Sequence, residues 1–186
     1  MPRLKVSFFT FIAIFYLLLY FDRFSLISVL LSITVHEAAH LIFIYAFGCR
    51  IESISVTPLG VSIRRKEDSG SLIKELFIYL SGPAVSIIMF FICIAHGDHE
   101  TGYISLFYGV INLIPVKIFD GGKALDIILF ELCPAESGRI MRVINCVFIL
   151  LIWTVSVFLM IYCGEFFQLF FLSVYLFIKL FIYDKI

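Results

Sequence analysis

Apolar residues dominate six stretches of the chain, separated by short polar segments: Val6–Phe21, Phe24–Phe47, Leu72–Ile94, Tyr103–Leu132, Ile140–Cys163 and Phe166–Tyr183. Helical runs of about 20 apolar residues match the thickness of a bilayer's hydrocarbon core. The pattern predicts an all-α polytopic membrane protein with about six transmembrane helices. Arg3 and Lys5 precede the first run, and no small-residue cleavage signal follows it, so it reads as a retained span rather than a signal peptide. Between the second and third runs the period changes. Ile51-Glu52-Ser53-Ile54-Ser55-Val56-Thr57 alternates apolar with polar, Pro58-Leu59-Gly60 supplies a turn, and Val61-Ser62-Ile63-Arg64 follows, which predicts a β-hairpin. It reads either as an ordinary connection or as an edge onto which an unwound peptide could add as a strand.

Two runs contain breaks. Ser81-Gly82-Pro83 predicts close packing and a kink within the third. Pro115, Gly121 and Gly122 interrupt the fourth, and Asp120 lies in that interruption. Irregular backbone at membrane depth is tolerated only where protein or a water-filled cavity surrounds it.

Composition agrees with this pattern. The 186 residues are 62% hydrophobic and 15% charged, with mean hydropathy +1.08. A formal net charge of zero supplies no basic footprint for nucleic acid. The five cysteines have no C-x-x-C spacing and fall mostly in or beside apolar runs, which argues against a disulfide framework. With six spans, Arg3, Lys5, Arg50, Arg64, Arg65, Lys66, Lys74, Arg139, Arg142 and Lys185 share one side, and Arg23 alone takes the other. The positive-inside rule then puts both termini and the hairpin in the cytoplasm, with the break in the fourth span opening toward that side of the cell membrane. The expected organisation is one membrane-embedded domain over residues 1–186, core about 24–132, with neither a PDZ segment nor a C-terminal regulatory domain.

The candidate chemistry lies inside the second run, which carries His36-Glu37-Ala38-Ala39-His40. On a helix, residues four apart share a face, so both imidazoles can reach one metal ion, and Glu37 stands beside them as a base for a metal-activated water. Ionisable groups at membrane depth are costly and usually functional. Catalytic zinc takes three protein ligands and keeps one position open. His96 and His99, the remaining histidines, sit with Asp98 in a polar loop on the opposite side, read as solvated. A carboxylate is therefore the expected third ligand, with Asp120 first and Asp126 second. Asp120 could instead cap the half-helix that starts near Gly121. Lys117 and Lys123 flank the break, placed either to assist an oxyanion or to snorkel toward the interface.

His36-Glu37-x-x-His40 together with Asn112-x-x-Pro115-x-x-x-x-Asp120-Gly121 resembles the site-2 protease family of intramembrane zinc metalloproteases, and within it the group of stage IV sporulation protein FB. The resemblance covers about Phe24 to Leu132. It implies His36, His40 and Asp120 as ligands of one Zn2+ per chain and Glu37 as the catalytic acid/base. It further implies that Asn112 and Pro115 shape the substrate-binding break, and that the substrate is a membrane-associated protein. Any regulatory membrane partner is left unidentified. Ile118, Phe119 and Ser86 depart from the family pattern, at positions often held by Pro, Leu and Asn. The rival readings are a metal transporter or sensor using the same histidine face, and a catalytically silent substrate-binding relative.

Overall fold

The computed structural model describes residues 3–6, 10, 11, 15, 18, 19, 22–57, 60–65, 71–163 and 167–179. They fall into two compact units, Met1–Leu113 and Ile114–Ile186.

The first unit holds strand β1 (Arg3–Val6), helix α1 (Arg23–Ala46), strands β2 (Ile51–Thr57) and β3 (Gly60–Arg65), and helices α2 (Leu72–Ala95) and α3 (His99–Asn112). The expected hairpin is present: β2 and β3 pair antiparallel, with Ser55 opposite Ser62 and a register shift between Ile51 and Ser53. Pro58 and Leu59 of its turn lie outside the described residues. β1 adds in parallel on the other side of β2, giving the order β1-β2-β3. This third strand was not expected, because its partner is some 50 residues away and the alternation of Arg3-Leu4-Lys5-Val6 is only four residues long.

Helices α1, α2 and α3 pack against one another. Lipid tails are as apolar as leucine, so burial alone cannot hold such helices together, and small and polar contacts take over. Thr101 Oγ1 donates to Ser28 Oγ at 2.9 Å, and Ser32 and Ser105 share a hydrogen bond of 2.8 Å, stitching α1 to α3. Pro83 sits inside α2, which continues as one helix from Leu72 to Ala95 instead of breaking at Ser81-Gly82-Pro83. Proline removes one N–H donor, and here that loss does not end the helix. α3 begins at His99, inside the segment expected to be a loop. Asp98 caps it, accepting from the Thr101 N–H at 3.1 Å. Hydrogen bonds from Thr101 hold the Asp98 carboxyl below its ordinary range. His96, Asp98 and His99 are solvent-exposed, in keeping with the solvated reading.

The second unit contains helices α4 (Asp120–Leu132), α5 (Ser137–Cys163) and α6 (Phe167–Ile178), with α5 packed on both of the others. The expected fourth span therefore appears as α3 and α4, of 14 and 13 residues, separated by non-helical residues 113–119. Each is about 20 Å long, short of the roughly 30 Å hydrocarbon core. Turns fold residues 114–119: Val116 N–H donates to Ile114 O and Phe119 N–H to Val116 O, both at 2.8 Å. Asn145, 2% exposed on α5, accepts from the Lys117 N–H at 3.0 Å. Among the described residues, three helices are long and apolar enough to cross a membrane: Arg23–Ala46, Leu72–Ala95 and Ser137–Tyr162. Most of the expected first span, Val6–Phe21, lies outside the described residues, as does the end of the expected sixth. The count of six therefore stays an expectation.

Replacing Asn145 with the similarly sized leucine removes the acceptor for Lys117 N–H and leaves that donor unpaired, at a cost of about 1–3 kcal/mol. Asn145→Leu should lower the midpoint of thermal unfolding in detergent. An unchanged midpoint would show that this bond does not stabilise the broken segment.

Candidate metal centre

Helix α1 carries His36 and His40 one turn apart on its buried face, 1% and 6% exposed. Their Nε2 atoms face each other at 3.2 Å. The opposite ring nitrogens are tethered to α2. His40 Nδ1 lies 2.7 Å from the Ile78 carbonyl, and because a carbonyl only accepts, Nδ1 carries the proton. His36 Nδ1 lies 2.9 Å from Ser86 Oγ. With Ser86 accepting from His36 in the same way, each Nε2 is the ring nitrogen that offers a lone pair, the form in which imidazole ligates a metal. Tethering of the distal nitrogen in this way fixes tautomer and ring orientation in metal-ligating histidines.

Gly82 on α2 keeps the space in front of these nitrogens open. A Cβ there would stand 2.6 Å from His36 Nε2 and closer still to His40 Nε2. Both histidines therefore look onto a cradle that any other residue would fill. The Tyr108 ring of α3 closes another side, edge-on to His36 with centroids 4.8 Å apart.

Glu37, half-buried, follows His36 on the helix. Its Oε1 accepts the backbone N–H of Val61 at 2.9 Å, so the first residues of β3 reach this carboxylate. Gly60 has φ +126°, a conformation that suits glycine, and a Cβ there would come within 2.8 Å of Glu37 Oε1.

In the second unit, Asp120 is buried at 7% exposure and opens α4 as its first helical residue. The capping position is Phe119, whose carbonyl accepts the Lys123 N–H at 3.0 Å. Asp120 is therefore not the helix cap that sequence reasoning allowed. Lys123 Nζ donates to Asp120 Oδ1 at 2.8 Å, and Lys117 Nζ lies 3.8 Å from Asp126 Oδ2. Both lysines face carboxylates. Asp126, the second-ranked ligand, has a side chain 34% exposed beside Lys117. Asn112 closes α3, buried at 7%, with its Nδ2 donating to Tyr108 O at 2.9 Å. Pro115 is half-buried in the turn segment.

Sequence reasoning missed Ser86 as the partner of His36, Gly82 as the spacer, Tyr108 as a wall and Val61 as the donor to Glu37. Ile78, Gly82 and Ser86 recur every four residues along one face of α2. That spacing was a readable sign of a helix pressed against something that needs room and polar partners.

No family model matches the chain. It is 25% identical over 127 residues to stage IV sporulation protein FB of Bacillus subtilis (strain 168), covering 62% of this chain and 43% of that protein. It is 27% identical over 122 residues to the Synechocystis protein named "Putative zinc metalloprotease sll0528", covering 59% and 32%. The chain thus spans less than half the length of these curated relatives. Among solved structures it shares the fold of the site-2 protease from Methanocaldococcus jannaschii, with TM-score 0.72 and 21% identity over 93% of this chain and 86% of that one.

The Gly82 cradle yields a direct test. Gly82→Ala should leave helical content intact while bound zinc in the purified protein falls from about one per chain toward none, since the added methyl occupies the coordination space. Full zinc retention in a folded Gly82→Ala protein would mean that the ion sits elsewhere.

Proposed function

We propose that this chain, assigned by these likenesses to the site-2 protease family, is an intramembrane zinc metalloprotease that cleaves a membrane-associated protein within or near the bilayer. The observation that carries the reading is the His36–His40 pair, with Nε2 atoms 3.2 Å apart in front of a backbone that only the missing side chain of Gly82 allows so close, and with Glu37 next in sequence. The resemblance to site-2 proteases supplies Asp120 as the third ligand of this reading. Two imidazoles and a carboxylate are a donor set suited to catalytic zinc with one open position.

Zinc, when bound, supplies a Lewis acid that polarises the scissile carbonyl and makes water acidic enough to ionise near neutral pH. The chain's residues do the rest. Nδ1 tethers on Ser86 and Ile78 hold the imidazoles in their ligating orientation. Glu37, with one oxygen engaged by Val61 N–H, accepts a proton from the attacking water and returns it to the leaving amine. Asn112 and Pro115 shape the segment that receives the substrate backbone, which must be locally unwound because a helical peptide bond is hydrogen-bonded and shielded. Lys and Arg placement supports cytoplasmic termini and a site opening toward the cytoplasm of the cell membrane. One membrane-embedded domain, residues 1–186, carries these parts.

Two variants separate binding from chemistry. Glu37→Gln should keep about one zinc per chain and lose roughly 100- to 10,000-fold in cleavage of membrane-tethered peptides in liposomes; undiminished cleavage would remove Glu37 from the mechanism. Asp120→Asn should weaken zinc binding by at least about 100-fold in a chelator competition; unchanged affinity would point to another ligand.

A further inference from the structure

Strand β3 joins two features that the mechanism above leaves unconnected. At its start, Val61 N–H holds Glu37 Oε1 at 2.9 Å. At its end, Arg65 grips the first turns of α2. Its Nη1 and Nη2 donate to Glu75 Oε1 and Oε2 at 2.7 and 2.5 Å, and Nη2 also reaches Tyr79 Oη at 3.0 Å. The guanidinium carbon lies 5.5 Å from the Tyr79 ring centroid. The Arg65 and Glu75 side chains are only 6% and 8% exposed. Val61 and Arg65 are four residues apart, about 13 Å along an extended strand.

A buried ion pair contributes little net stability over a well-packed apolar pair of the same size. What the bidentate fork does provide is a fixed distance and angle between two backbones. The backbone it fixes here also carries the donor to Glu37. Further along, α2 bears Ile78, Gly82 and Ser86, which face the two histidines. Helix α2 is thus a common reference for the imidazoles and, through β3, for the carboxylate.

We propose that Arg65, Glu75 and Tyr79 are positioning residues for Glu37. They anchor β3 on α2 so that Val61 N–H meets the carboxylate and aims it into the cradle. This inference rests on Glu37 being the general base. Misplacing a catalytic group by about 1 Å can cost around 100-fold in rate, so an anchor remote from the chemistry can govern turnover.

The test uses the full chain in liposomes and the apolar double variant Arg65→Met/Glu75→Met. It reads thermal stability, zinc content, hydrogen exchange at the Val61 amide, and kcat and KM separately. The expected result is a folded protein with wild-type zinc, a Val61 amide that exchanges at least about tenfold faster, and kcat lowered by about tenfold or more with KM little changed. Arg65→Lys, which keeps the charge but loses the fork, should move the same way, and the swap Arg65→Glu/Glu75→Arg should restore part of both signals. A folded double variant with a protected Val61 amide and wild-type kcat overturns the proposal. Should the double variant fail to fold, Arg65→Lys decides alone: a protected amide and full kcat overturn the anchor. Wild-type protein that binds zinc but cleaves nothing counts against the general-base reading, whereas the Val61 amide still decides whether the anchor sets the strand.

Discussion

Two imidazoles buried among apolar helices, with their Nε2 atoms 3.2 Å apart, are the constraint on which the rest of this protein depends. Nothing in a hydrocarbon environment stabilises that arrangement by default. Each ring must be held by its other nitrogen, the space between them must stay clear, and a positive charge must be welcome there. Helix α2 meets the first two demands, with Ile78 and Ser86 as tethers and Gly82 as the gap. Pro83 follows Gly82 directly, and α2 continues through both as one helix from Leu72 to Ala95.

Backbone that leaves the helical pattern must also have its polar groups satisfied. Residues 113–119 do so through local turns and through Asn145. Gly122 allows α4 to start against this segment, since a Cβ there would collide with the Val116 carbonyl. The outcome is a short helix whose first residue is a buried carboxylate, already paired through Oδ1 with Lys123. In the first unit the same economy appears as the Ser28–Thr101 and Ser32–Ser105 contacts, where hydroxyls on facing helices satisfy each other.

What was legible in the sequence was what is local. The i, i+4 histidines, the long apolar runs, the alternating hairpin and the Pro/Gly break are all properties of neighbouring residues, and the structure bears out the helix, hairpin and break at those positions. What escaped were pairings across long separations: Ser86 with His36, Ile78 with His40, Val61 with Glu37, and β1 with β2. No periodicity encodes such contacts. Ser86 is instructive, because as a sequence it was a departure from an asparagine, and in the structure its hydroxyl partners a histidine. The start of α3 escaped for a different reason. Asp98-His99-Glu100-Thr101 is a serviceable cap followed by a first turn, yet its polarity suggested a loop.

Zinc K-edge X-ray absorption on the purified protein reads the metal's ligands directly. One zinc per chain is expected, with two imidazole nitrogens at about 2.0–2.1 Å and oxygen donors at about 2.0–2.2 Å, in a spectrum that loses an imidazole when either histidine becomes alanine. A folded protein that holds no zinc, or a zinc shell unaltered by His36→Ala and His40→Ala, would contradict that expectation.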